Sequence, residues 1–170
     1  MDVLDLNSVR VTVIGAPTGP ASGGGGNSGF QTSRLLNVEE AEASAPFAVR
    51  FPAFLPEGFR FREAALLTSP KRMVVLTYVG AAGQFGFSIL EAPVEEFEAA
   101  ADGKRNYFVV AESLDEAQVG SAKAAAAQLL APPGRRGDVS VLVWEANSLL
   151  CHLIGQGLSA TALAQIAASI

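Results

Sequence analysis

Residues 139–170, VSVLVWEANSLLCHLIGQGLSATALAQIAASI, decide how this chain folds. Val139 to Trp144 and Leu149 to Ile154 are apolar runs of strand length. Glu145-Ala146-Asn147-Ser148 separates them, which predicts a hairpin. Gly155-Gln156-Gly157 breaks the second run, and the period then changes. Leu158, Ala162, Leu163, Ile166 and Ile170 recur at helical spacing, and Ser159 is placed to cap. Strand, strand and helix in succession predict an α+β fold, with Leu163 and Ile166 packed on the sheet and Trp144 ending a strand at least partly buried.

Working back from this stretch, residues 59–67, 73–79 and 84–91 read as three further strands. They are joined by turns at Ser69-Pro70-Lys71 and Gly80-Ala81-Ala82-Gly83. In the third, Phe85, Phe87 and Ile89 alternate with Gln84, Gly86 and Ser88, the period-2 signature of a strand with unlike faces. Phe51 to Phe59 is interrupted by Pro52 and by Pro56-Glu57-Gly58, which exclude helix. Before it, Asn37 and Glu40 have the spacing of a capping box, so a short helix is expected near 38–45. Residues 15–33, GAPTGPASGGGGNSGFQTS, are uncharged and rich in Gly, Pro and Ser, and predict a linker or long loop. They lack the Gly-Lys-Ser/Thr ending of a phosphate-binding loop. Residues 1–14 end in the β-branched Val9-Arg10-Val11-Thr12-Val13-Ile14, a short strand. The organisation expected is therefore a strand over 1–14, a linker over 15–33 and a single α+β domain over 34–170.

Composition narrows the function. At 170 residues the chain is long enough to bury a substantial core without disulfides. It is 49% hydrophobic and 17% charged, which excludes disorder of the whole chain. Seventeen acids against twelve bases leave a net charge of −5, with no basic surplus for nucleic acid. The acidic Met1-Asp2-Val3-Leu4-Asp5 is unlike a signal peptide. Residues 146–170 carry no formal charge with His152 neutral, but Asn147, Gln156, Thr161 and Gln165 interrupt any span of the required length of about 20 residues. Any membrane attachment is expected through a segment that this chain lacks.

Candidate chemistry is sparse. A single cysteine, Cys151, rules out an internal disulfide and a cysteine-cluster metal site. His152 is its neighbour, but successive strand side chains point to opposite faces, so the two form no dyad. Cys151 shares its face with Leu149 and Leu153 and reads as core; His152 reads as a structural histidine. No Gly-x-Ser-x-Gly is present. The acidic pairs Glu39/Glu40, Glu95/Glu96 and Asp115/Glu116 lie on polar segments and read as solvated faces. These residues nominate no catalytic group, no cofactor and no metal site. They leave a ligand-binding site and the oligomeric state open, and the expectation is a protein that is not an enzyme.

Three stretches together resemble one family. Val38-Glu39-Glu40-Ala41 leads through Phe51-Pro52 to Leu55-Pro56-Glu57-Gly58-Phe59; Leu76-Thr77-Tyr78 follows; and Leu142-Val143-Trp144-Glu145, Leu149 to Ile154, Gly155, Leu158-Ser159 and Ile166 to Ile170 close the chain. They are similar to bacterial extracytoplasmic domains of the DUF4367 type, found in anti-sigma-factor-like membrane proteins and lipoproteins. The closing pattern is also similar to the lipoprotein-carrier and sigma-regulatory folds of the LolA and RseB kind. The resemblance, over about residues 34–170, implies a twisted, mainly antiparallel sheet with a short N-terminal helix and a C-terminal helix packed on it. It implies a membrane-tethered sensing or regulatory domain on the extracytoplasmic face, with a protein partner. The alternative it implies is a carrier that holds an apolar ligand between sheet and helices. It also bears on residues 113–131. Local propensity favours helix from 114 to 131, through the Ser113-Leu114-Asp115-Glu116 capping pattern and the alanines of 122–131. Ala117-Gln118-Val119-Gly120-Ser121-Ala122 resembles the family's strand and turn before the closing hairpin, so residues 116–128 are expected to be mainly strand.

Overall fold

The structure, a computed structural model, describes residues 2–15, 31–69, 71–83, 85–129 and 139–170. Its elements are β1 (Val3–Asp5), β2 (Val9–Ile14), β3 (Gln31–Leu36), α1 (Val38–Ser44), β4 (Arg60–Ser69), β5 (Met73–Val79), β6 (Phe85–Pro93), β7 (Arg105–Val110), β8 (Ser113–Val119), β9 (Ala122–Leu129), β10 (Val139–Ala146), β11 (Leu149–Gln156) and α2 (Ala160–Ala168). The class is α+β, dominated by antiparallel sheet.

Two meanders build an eight-stranded sheet in the order β3-β4-β5-β6-β11-β10-β9-β8. They join along the antiparallel pairing of β6 with β11, where Leu153 faces Ile89 and Cys151 faces Glu91. The chain that crosses from one meander to the other forms β7. It leaves the large sheet, pairs in parallel with β2, and with β1 makes a three-stranded sheet. The segment read as a separate opening strand is thus built into the domain.

Each face of the large sheet carries its own core. On one, α1, α2 and the segment 46–59 cover Leu76, Phe87, Trp144, Cys151 and Leu153. On the other, the small sheet brings Leu4, Val9, Val11 and Val109 onto Val143 and Leu150. Burial on both faces explains the high apolar content: Ser140 to Trp144 of β10 are buried consecutively, where a half-exposed strand would alternate. It also explains why alanines form β9. Trp144 lies in register between Ala124 on β9 and Cys151 on β11, two small side chains that leave room for the indole. Packing outweighs helix propensity there, and the helix favoured locally over 114–131 is replaced by β8 and β9.

Other boundaries shift for local reasons. The β10–β11 turn is the two-residue Asn147-Ser148, so β10 continues past Trp144 to Ala146. Gly155 does not break β11, which runs on to Gln156. A Cβ at Gly155 would lie 2.9 Å from Leu163 Cδ2, so the glycine lets α2 settle on the strand. β3 begins at Gln31, inside the stretch read as linker. Residues 16–30 of that stretch, Pro70 and the turn-rich segment 132–138 lie outside the described residues.

The helix ends follow the sequence closely. Asn37 Oδ1 accepts from Glu40 N at 2.8 Å, and Asn37 N donates to Glu40 Oε2 at 3.3 Å, a complete capping box on α1. Ser159 Oγ accepts from Ala162 N at 3.1 Å on α2, which buries Leu163, Ile166 and Ala167. Replacing Asn37 by Ala is expected to cost about 1 kcal/mol. Thermal unfolding should show this as a fall of about 2–4 °C.

Candidate functional site

A cleft of about 460 Å³ opens at one end of the large sheet, where six chain segments meet. Its walls include Ser8, Phe47, Arg72, Glu95, Arg105 and Glu145, together with the β10–β11 hairpin tip. That tip is conformationally costly. Asn147 and Ser148 have φ of 51° and 62°, the left-handed region that a two-residue hairpin turn demands and that a serine seldom adopts. Ser148 O accepts from Val94 N at 2.9 Å, which fixes the tip against the chain leaving β6.

The polar groups of the cleft are mostly committed to one another. Glu145 accepts from Ser8 N at 2.8 Å and from Ser8 Oγ at 2.5 Å, pinning the β1–β2 turn to β10. Arg72 binds Glu96 through Nε at 2.6 Å and Glu95 through Nη2 at 2.9 Å. These carboxylates raise the Arg72 pKa, and the Arg72 backbone N–H and guanidinium hold Glu96 below the usual carboxylate range. Asn147 Oδ1, with its amide turned toward Arg50, accepts from that guanidinium. Arg105 differs: Nη1 donates to Phe97 O at 2.9 Å, and no carboxylate among the described residues pairs with it. The cleft thus offers a half-buried guanidinium with no salt-bridge partner among the described residues, set between fixed hydrogen-bonding walls that include Glu95 and Glu145. Replacing Glu145 by Ala should free the β1–β2 turn at a cost of about 1–2 kcal/mol, with a smaller loss for Glu145→Gln. Urea midpoints of the two variants give this comparison.

Of the residues singled out from sequence, Glu95 lines this cleft, whereas Cys151 and His152 lie elsewhere. Cys151 is buried on the helix-covered face, and burial pushes its thiol up to about 12, far from a reactive thiolate. His152 lies on the opposite face, against the small sheet. Its Nδ1 is hydrogen-bonded to the Tyr107 hydroxyl, and its buried Nε2 has no partner among the described residues. Burial brings the imidazole down to about 4, so it is neutral at pH 7. Cys151 and His152 are separated by the sheet itself. The acidic pairs are also dispersed: Glu95 and Glu96 bind Arg72, Glu40 completes the α1 cap, and Glu116 pairs with Lys123 at 3.3 Å. Among the described residues, no group of three or more His, Cys, Asp or Glu side chains is arranged to hold a metal.

Two groups, one half-buried and one buried, escape a reading by motif. One is Tyr107, which reaches from β7 to His152. The other is Glu91 on β6, fully enclosed on the helix-covered face. Its oxygens accept the Arg50 backbone N–H at 3.1 and 3.2 Å, and burial pushes its carboxyl up to about 7. A lone acid between Leu90 and Ala92 in an apolar strand is the sequence signal that marks it. Ser8 and Arg105 carry no comparable signal, because only the β7 crossover brings them to the hairpin tip.

Compared with known protein families, curated proteins and solved structures, the chain matches none of them. No helix among the described residues is long and apolar enough to cross a membrane.

Proposed function

We propose that this chain is a non-enzymatic sensing or regulatory domain that works by contact with another protein. One observation carries the reading: the space between the large sheet and its helices is filled by side chains, with Trp144, Leu163 and Ile166 each at most 2% exposed. Reactive side chains are committed inside the two cores, so chemistry open to a ligand is concentrated in the cleft at the hairpin tip. Arg105, which has no carboxylate partner among the described residues, gives that cleft a preference for a partner segment bearing a carboxylate, an acidic side chain or a C-terminus. The short stretches similar to DUF4367-type domains support placing it on the extracytoplasmic face of a bacterial membrane, in a tethered, anti-sigma-factor-like protein. A buried, unreactive Cys151 is compatible with an oxidising compartment.

The test is site-specific photo-crosslinking in the native host. With Ser148 replaced by p-benzoylphenylalanine, a discrete protein adduct is expected, and Arg105→Glu should abolish it. The same label at Thr161, exposed on α2, should give none. No adduct from position 148, or equal adducts from both positions, would count against the reading.

A further inference from the structure

We propose that the strap 46–58 is a proton-controlled latch: Glu91 holds it down at Arg50 while protonated, and ionisation of Glu91 lets it loosen. The inference deepens the sensing reading, and rests on it for its purpose, by naming the signal and what the signal moves.

The geometry is specific. The strap contains neither α-helix nor strand. Hydrogen bonds tie it down at few points: Arg50 N to Glu91, Ala53 N to Ser169 O at 3.1 Å, and Phe54 N to Ser169 Oγ at 3.0 Å. Glu91 is wholly enclosed, yet both its oxygens share a single N–H. An ionised carboxylate so placed lacks the solvation that its charge requires, and the direct relief is to part the strap from the sheet and admit water. Arg50 couples this event to the surface. Its backbone hangs on Glu91 while its guanidinium donates to Asn147 at the hairpin tip. Pro46 and Phe47, at the start of the strap, form part of the cleft wall. Loosening at Arg50 therefore reshapes the contact surface.

Burial pushes the Glu91 carboxyl up to about 7, outweighing the Arg50 N–H and the Arg50 charge, which both favour the carboxylate. Among the described residues, the titratable and charged groups facing it are Cys151 from β11, Tyr78 from β5 and Arg50 from the strap. Burial holds the thiol near 12 and the phenol above its ordinary value. The sign follows from linkage. The closed state binds the proton more tightly than an opened, hydrated one, so raising the pH favours opening. With Glu91 near 7 when closed and at its ordinary value of 4.5 when open, the opening equilibrium rises about 30-fold between pH 5.5 and 8.5.

Amide hydrogen exchange of the isolated protein reads this directly. After correction for intrinsic exchange, protection of the Arg50 amide should fall about 30-fold from pH 5.5 to 8.5. The Leu153 amide in the sheet should keep its protection, and Glu91→Gln should remove the pH dependence at Arg50. Constant Arg50 protection would overturn the latch, as would a parallel loss at Leu153, which signals global unfolding. If Glu91→Gln does not fold, the ¹³Cδ shift of Glu91 in the unmodified protein decides: a midpoint near 7 is expected, and one below 5.5 overturns the proposal. The exchange experiment involves no partner, so failure of the latch and failure of the contact reading are separately visible.

Discussion

Replacing Trp144 by alanine is expected to destabilise the domain by about 3–5 kcal/mol, the largest single-residue effect in this fold. The indole is 2% exposed in the core beneath the helices. It is flanked in register by Ala124 and Cys151, so the neighbouring strands have no large side chain to lean into the space it leaves. Removal therefore loses the transfer free energy of a large aromatic group and leaves a cavity that the rigid sheet closes poorly. The rest of that core, including Leu163 and Ile166 of α2, loses packing with it. Against a typical domain stability of 5–15 kcal/mol, the variant should unfold at a much lower urea concentration. Ala124→Leu should also destabilise, by about 1–3 kcal/mol, because the site is already full. A tolerant Ala124 would mean that the indole does not occupy the space assigned to it.

The second large effect concerns acid. His152 has a pKa of about 4 in the folded protein against 6.5 when unfolded. The unfolded chain binds the proton first, so the neutral histidine's contribution is fully present above pH 6.5 and is lost as pH falls toward 4. The loss amounts to up to about 3 kcal/mol. Glu91 has the opposite sign. Its raised pKa gives a contribution that is complete below 4.5 and is lost as pH rises through 7. Over pH 4.5–6.5 the two slopes oppose each other, and the unmodified protein should have a nearly flat stability profile. His152→Phe unmasks the Glu91 slope, so that variant should gain stability as the solution is acidified from pH 7 to 4.5. Glu91→Gln unmasks the histidine, and that variant should weaken over the same range. Urea denaturation at pH 4.5, 5.5, 6.5 and 7.5 measures all three profiles. A His152→Phe profile parallel to that of the unmodified protein would contradict the burial of the imidazole.

How far the sequence disclosed this architecture depends on how local the causes are. The α1 cap needs two residues three apart, and Asn37 and Glu40 are both visible. The closing hairpin and helix follow from apolar periodicity, as does the assignment of Cys151 and His152 to opposite faces. The alanine-rich β9 is different. Its strand state is imposed by the side chains across the sheet, and no rule confined to residues 122–129 contains Trp144. The extent of β11 through Gly155 is likewise set by Leu158 and Leu163, which pack on that glycine. The cleft was the least legible feature. Ser8 and Glu145 are 137 positions apart, and their contact exists because β2, with β1 on its other edge, pairs with a crossover strand against the large sheet. Glu91 falls between these cases: an acid inside an apolar strand signals that something unusual must solvate it, but nothing local names Arg50 as the donor.

A filled space between the large sheet and its helices separates a contact domain from a carrier. Titration with palmitate, followed by Trp144 fluorescence and by the amide resonances of α2, tests it most directly. With that space filled, no saturable change is expected in either signal. A saturable response of Trp144 with shifts at Leu163 and Ile166 would show that an apolar ligand enters there, and would contradict it.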